Sequence, residues 1–304
     1  MLNWKETSEK FINFIRREKK LSANTQQAYL ADIQLFINWL QKKNIELSPG
    51  EITRSQFKDF IYDLECSTSS QCRIISSIRS MFKFLNGEEL VNNNPTLSIE
   101  SPKRKKTLPE SLSADEINKM ISVLDIKKTS AFRTRILIEL LYSSGIRISE
   151  AMNLKMTDIS FIGECVKVVG KGNKERIVPI GKNILDLLQL LKSKETATES
   201  CYIFHDKNGK PMSRMVAYKC ITRTAIKAGI DKQIGPHTFR HSFGTHLVQE
   251  GASLRAVQEL LGHASVATTQ IYTHVNQHYL RTELMSHHPM YSGVNNNVSV
   301  QVAS

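Results

Sequence analysis

Apolar residues recur at helical spacing through most of the chain and alternate in one short stretch. Ser22 has the chemistry of a helix N-cap, and Tyr29, Ile33, Phe36, Ile37 and Leu40 after it fall on one helical face. Shorter helical patterns run from Thr53 to Leu64 and from Ser70 to Leu85, the second carrying Ile74, Ile78, Met81, Phe82 and Leu85. Together they predict a small all-α domain over residues 1–91. Residues 92–112 (NNNPTLSIESPKRKKTLPESL) break the pattern with three prolines, a run of asparagines and the basic cluster Lys103, Arg104, Lys105 and Lys106. This composition predicts an interdomain linker. Its basic cluster is either a solvated surface run or a strap across a phosphate backbone.

Helical spacing resumes at Ser113, which has capping-box spacing to Glu116, and continues through Ile136, Leu140 and Leu141 to Gly145. Alternation then takes over. Cys165–Val169 and Arg176–Ile180 flank the turn-like, basic GKGNKE and predict a hairpin; Tyr202–Phe204 has the composition of one more short strand. The remainder to residue 288 reads as helix. Residues 289–304 are polar and predict a disordered tail. The fold expected is mainly α with a small β-sheet: an all-α domain, then a mixed α/β domain over 113–288.

Composition narrows the chemistry. A chain of 304 residues suffices for two domains, each with a core. Lys and Arg total 41 against 29 Asp and Glu, a formal charge of +12, which calls for an anionic partner, either nucleic acid or a membrane surface. No stretch approaches the roughly 18 apolar residues of a membrane span, and MLNWKETSEK has no signal-peptide pattern, so a cytoplasmic protein with no membrane association is expected. The five scattered cysteines include no C-x-x-C pair and fit reduced thiols. No P-loop motif is present. His237 and His241 are spaced i, i+4, but Thr238 stands where a zincin needs Glu. No carboxylate constellation suggests a two-metal nuclease. A reaction on a phosphodiester would therefore use cations and a side-chain nucleophile, with neither metal nor cofactor.

The parts for such a reaction are present. In LLYSSGIRISEAMNL, Arg147 follows Gly145 in a mostly apolar stretch, and Glu150 lies three residues on, on the same helical face. Lys171 and Lys174 sit in the hairpin loop. The segment GPHTFRHSFGTHLVQEGASLRAVQELLGHASVATTQIYTHV carries His237-x-x-Arg240, then His263 after Gly262, then Tyr272. Attack on a phosphodiester develops a second negative charge, so preorganised cations stabilise the transition state more than the ground state. A planar guanidinium suits that work, because it grips two oxygens and stays charged. His237 and His263 occupy helix-start positions, where backbone amides favour an anion, and either can donate to a phosphate or help deprotonate a nucleophile. His241 and His246 read as structural. On residue type alone, Tyr272, Tyr279 and Tyr291 compete as nucleophile, and Lys171 and Lys174 as the acid for the leaving alkoxide.

The ordered set of Arg, Lys, His-x-x-Arg, His and Tyr resembles the tyrosine recombinase family, with the bacterial Xer group closest, over nearly the whole chain. The resemblance implies a SAM-like four-helix core-binding domain, a linker and a catalytic domain whose C-terminal helix docks on a neighbouring protomer. It implies the catalytic residues Arg147, Lys171, His237, Arg240 and His263, with Tyr272, nine positions after His263, as nucleophile. Lys171, the first lysine after the opening glycine, becomes the acid; Lys174 is left with phosphate contact, and Glu150 orients Arg147. Attack gives a 3′-phosphotyrosine and a 5′-hydroxyl, and religation needs no ATP. Strand exchange through a Holliday junction would involve duplex DNA with a specific recombination site and a homo- or heterotetramer on two sites. A paralogous recombinase and a cell-division DNA translocase are the implied partners, and resolution of chromosome or plasmid dimers the implied role. A phage or transposon integrase would use the same chemistry. A type IB topoisomerase would relax DNA without exchange, and a non-enzymatic DNA-binding protein would keep the fold with a dead site, against which the full residue set speaks.

Overall fold

Helix caps written into the sequence set most of the element boundaries. The computed structural model describes residues 3–97, 99–100, 102, 110–170, 175–194, 201–262 and 274–291. Two compact units divide at 107/108, Met1–Thr107 and Leu108–Ser304. No helix among the described residues is long and apolar enough to cross a membrane.

The N-terminal unit holds α1 (Trp4–Arg17), α2 (Ala23–Lys42), α3 (Arg54–Tyr62) and α4 (Thr68–Gly87). The side chains of Asn3, Ser22, Thr53 and Ser67 cap them in turn, so α4 begins two residues before the predicted Ser70. The inward faces bury Phe11, Phe36, Phe57, Phe60 and Phe82 in one aromatic core. One charge lies within it: Asp32 is buried, ion-paired with Arg73 and hydrogen-bonded by Ser77 Oγ at 2.7 Å. The segment read as linker contributes to this core as well. Ile99 belongs to it, and Asn94 and Thr96 form a buried turn in which Asn94 Oδ1 accepts from the Thr96 amide at 3.0 Å. At its other end Leu112 is fully buried in the second unit. The basic cluster 103–106 lies outside the described residues.

The C-terminal unit begins with α5 (Ala114–Ser122), which opens with the predicted Ser113–Glu116 capping box. Then come α6 (Thr129–Ser144) and the short α7 (Ile148–Met152). The strands β1 (Ile159–Ser160), β2 (Cys165–Val169) and β3 (Glu175–Pro179) form an antiparallel sheet in the order β1-β2-β3, with Val169 opposite Glu175 at the hairpin end. The strand suggested at Tyr202–Phe204 is reduced to a single bridge between Tyr202 and Lys155. Helices α8 (Lys182–Lys194), α9 (Arg214–Lys227), α10 (Pro236–Gln249), α11 (Leu254–Leu261) and α12 (His274–His287) complete the unit. A large apolar core runs from Leu112 to Phe239, with α6 fully buried at Ile136, Ile138, Leu140 and Leu141.

Helix α12 packs on its own unit. Leu280 and Leu284 are buried with Phe243, Leu247, Val257 and Leu260 of α10 and α11, and Arg281 pairs with Glu164. The chain stays packed beyond it, which moves the start of the predicted tail past 289. His288 is buried, its Nε2 donating to the Tyr142 carbonyl at 3.1 Å, and the Tyr291 hydroxyl accepts from the Gly181 amide at 3.0 Å. Residues 292–304 lie outside the described residues.

Candidate active site

Three local features bring distant arginines to one place. Helix α6 stops at Gly145, whose φ of +60° is open to glycine and strained for other residues. A Cβ there would also strike the Phe243 ring. The chain reverses, buries Ile146, and presents Arg147 at the N-cap of α7. Helix α10 starts at Pro236, which suits the first helical position, and Arg240 follows one turn later. Helix α11 ends at Gly262 with φ +63°, leaving its last carbonyls without helical partners.

Those carbonyls receive the two arginines. Arg240 Nη2 donates to the Leu261 carbonyl and Nη1 to the Gly145 carbonyl, while Arg147 Nη2 donates to the Gly262 carbonyl at 3.3 Å. The C-terminal end of a helix carries partial negative charge and stabilises cations placed there. Arg240 is thus fixed by backbone oxygens, while Arg147 is shared between the Gly262 carbonyl and the Glu150 carboxylate. Burial, then the neighbouring Arg147 and Arg176 charges, push the Arg240 guanidinium down to about 10, which still leaves it protonated at neutral pH.

Glu150 is the one carboxylate bonded to this cluster among the described residues. It accepts from the Arg147 amide at 2.7 Å and from Arg147 Nη1 at 3.1 Å. Its shorter side-chain bonds go elsewhere: Arg176 Nη1 and Nη2 donate to its two oxygens at 2.6 and 2.8 Å. Burial alone would raise this carboxyl; the bonds from Arg176 and from the Arg147 amide outweigh it and hold the group below the usual carboxylate range. Arg176 was missed in the sequence reading. The signal available was its phase in β3, where it faces inward with Val178. Three guanidiniums against one carboxylate leave the cluster positive, an arrangement suited to a phosphate.

His237 lies in the first turn of α10 with its side chain exposed, one turn before Arg240. His246 is bonded to the Tyr142 hydroxyl at 2.8 Å, as a structural histidine would be. Lys171, Lys174, His263 and Tyr272 lie outside the described residues. The two rival tyrosines do not. The Tyr279 hydroxyl bonds Ser253 Oγ at 2.8 Å, at the N-cap of α11, and the arginines bind the opposite end of that eight-residue helix. At 1.5 Å per residue the separation is about 12 Å. Tyr291 is held at Gly181, and burial pushes its phenol up to about 12. The Tyr279 hydroxyl therefore lies about a helix length from the carbonyls that hold the arginines, and the Tyr291 hydroxyl is tied to the Gly181 amide.

Comparison with known proteins follows the same division of the chain. Residues 110–278 match the phage integrase family, and residues 9–89 match the phage integrase N-terminal SAM-like domain. The chain belongs to the phage integrase family and is a site-specific tyrosine recombinase. It is of Xer-like type. It is 39% identical to tyrosine recombinase XerD of Staphylococcus saprophyticus over 292 residues, covering 92% of this chain and 98% of the relative. It is 38% identical to XerD of Chlorobaculum tepidum over 297 residues, covering 94% and 97%. The fold is shared with XerH recombinase in a post-cleavage complex with its difH substrate (TM-score 0.67, 24% identity, 90% of this chain and 83% of that one). It is shared too with a lambda integrase dimer bound to a core site (TM-score 0.67, 18% identity, 86% and 95%).

Proposed function

We propose that this recombinase binds a specific duplex site and cleaves it by attack of Tyr272 on a phosphate held by Arg147 and Arg240. His237 and His263 complete the phosphate contacts, and one of them accepts the phenolic proton. A free phenol titrates near 10; the positive cluster favours its phenolate. Lys171 protonates the departing 5′-alkoxide, because an alkoxide is too basic to leave unaided. The 3′-phosphotyrosine keeps the bond energy for religation to a partner strand, through a Holliday junction. Lys103, Arg104, Lys105, Lys106 and Lys174 contact backbone phosphates and supply affinity by counterion release. Four protomers act on two sites, and in that assembly the α12 segment, packed on its own unit in the single chain, moves to a neighbour to close a ring. A paralogous recombinase and a cell-division translocase are the expected partners. The identity to XerD over nine-tenths of both chains favours dimer resolution in the cytoplasm over mobile-element integration.

The observation that carries this reading is the meeting of Arg147 and Arg240, far apart in sequence, at the carbonyl end of α11, one residue before His263. The test uses a site selected by the protein from a random duplex library. A nicked suicide version should trap a covalent adduct, and two intact copies on one plasmid should recombine. Adduct without exchange would point to a topoisomerase; binding without adduct would point to a dead site.

A further inference from the structure

We propose that Arg176 is a positioning residue for strand cleavage: its guanidinium clamps both oxygens of Glu150, and the fixed carboxylate aims Arg147. The inference rests on the reading that Arg147 and Arg240 hold the scissile phosphate. Its own support is geometric. Glu150 receives four donors within 3.1 Å, two from Arg176 and two from Arg147, and a carboxylate has roughly four acceptor sites. Arg176 supplies half of them, in the planar two-pronged form that fixes a carboxylate in direction as well as position.

Burial separates the two arginines by role. The Arg147 side chain is 37% exposed and can meet a substrate; that of Arg176 is 9% exposed and that of Glu150 2%. A buried ion pair is seldom a net gain over well-packed apolar residues. Position 176 alternates with Val178 on an inward face, where an apolar residue would pack without desolvating a charge. Stability alone therefore does not account for an arginine there, whereas holding Glu150 does. Arg176 also lies against Gly262: a Cβ at that glycine would stand 3.0 Å from its Nε and 3.2 Å from its Cζ. The strut thus packs under the same residue whose carbonyl anchors Arg147.

Among the described residues, removing Arg176 leaves a buried carboxylate with only Arg147 to satisfy it. Burial then acts with less opposition, so the carboxyl takes up a proton at higher pH and ceases to hold Arg147.

The test measures single-turnover cleavage of the suicide duplex from pH 5 to 9, with gel-shift affinity for the same duplex, for the wild type, Arg176→Gln and Arg176→Lys. A displacement near 1 Å costs about a hundredfold in rate, and that is the loss expected for Arg176→Gln. Affinity should change less than about threefold, and the acidic limb of the profile should move to higher pH. Arg176→Lys keeps the charge and one prong; it should recover about tenfold of the lost rate and return the acidic limb toward the wild type. Wild-type cleavage by Arg176→Gln, or a loss with the limb unmoved, would overturn the inference. Should Arg176→Gln not fold, Arg176→Lys decides alone: about tenfold slower cleavage supports the two-pronged strut, and the wild-type rate overturns it. No adduct from the wild type would instead sink the reading on which the inference rests.

Discussion

Each unit of this protein buries an acid beside arginine, and the two sites are built to opposite ends. In the N-terminal unit Asp32 meets one arginine, Arg73, whose side chain is half in solvent, and a serine completes the shell. Charge is balanced, and nothing is left over for a ligand. In the C-terminal unit Glu150 meets Arg147 and Arg176, with Arg240 beside them on helix carbonyls. Charge is unbalanced there: Arg147 and Arg176 share one carboxylate, and Arg240 is fixed by carbonyl dipoles that cost it no positive charge. A buried polar group that neutralises itself serves the fold; one that stays positive is suited to the phosphate proposed for it.

That contrast can be broken most sharply at Arg240. Arg240→Ala should lower single-turnover cleavage by a hundredfold to a thousandfold, the cost of losing a preorganised donor to transition-state charge. The folded protein's melting temperature should fall little. Asp32→Ala should do the reverse: about 2 kcal/mol less stability, from the lost charged hydrogen bonds, with the cleavage rate of the bound complex unchanged within about twofold. Denaturant titrations alongside the kinetics check both halves, and equal effects on both quantities at both sites would erase the distinction.

The acid is separable from the charge cluster. Lys171→Ala should slow cleavage of an ordinary duplex by about a hundredfold, within the usual range for a general acid. Sulfur at the bridging 5′ position makes a leaving group that needs no proton, so that substrate should restore most of the rate to Lys171→Ala and none to Arg240→Ala. Absence of rescue would reduce Lys171 to a positioning cation.

The basic cluster sharpens the comparison for the charges outside both sites. Neutralising Lys103, Arg104, Lys105 and Lys106 should weaken binding to specific and random duplex alike. The slope of log affinity against log salt should flatten by about three to four, close to one per phosphate contact. An unchanged slope would mean that the cluster is merely solvated.

The smallest effect expected is one of pH. All nine histidines lie in the C-terminal unit. Burial drives His288 down to about 3, so the folded state holds it neutral while the unfolded chain binds a proton near 6.5. Its contribution is complete above about 6.5 and fades as pH falls toward 3. Between pH 7 and 5 the C-terminal unit should lose melting temperature while the histidine-free N-terminal unit holds. Calorimetry, with His288→Gln as the control that removes the titration, reads this directly.

Much of this was legible in the sequence, for reasons that are local. Ser22, Thr53 and the Ser113–Glu116 pair mark helix starts because capping is a contact across three residues. The hairpin showed as alternation about a basic turn, and Arg147, His237 and Arg240 showed as an ordered set. What stayed hidden depends on distant partners. Composition made 92–112 look like pure linker, yet Asn94 and Thr96 satisfy each other inside a core that Ile99 also joins. The polar run after 291 masked Tyr291, whose place is fixed by Gly181, more than a hundred residues away. Arg176 reads in sequence only as the start of an alternating strand; its partner Glu150, 26 residues away, is set by the fold.

The central claim is that the arginine cluster at the carbonyl end of α11 holds a phosphate for Tyr272. The most direct measurement digests the trapped covalent complex and identifies the peptide that carries the nucleotide. The account predicts a 3′-phosphonucleotide on Tyr272 alone, with Tyr272→Phe binding the duplex at wild-type affinity and forming no adduct. A nucleotide on Tyr279 or Tyr291, or adduct persisting in Tyr272→Phe, would contradict it.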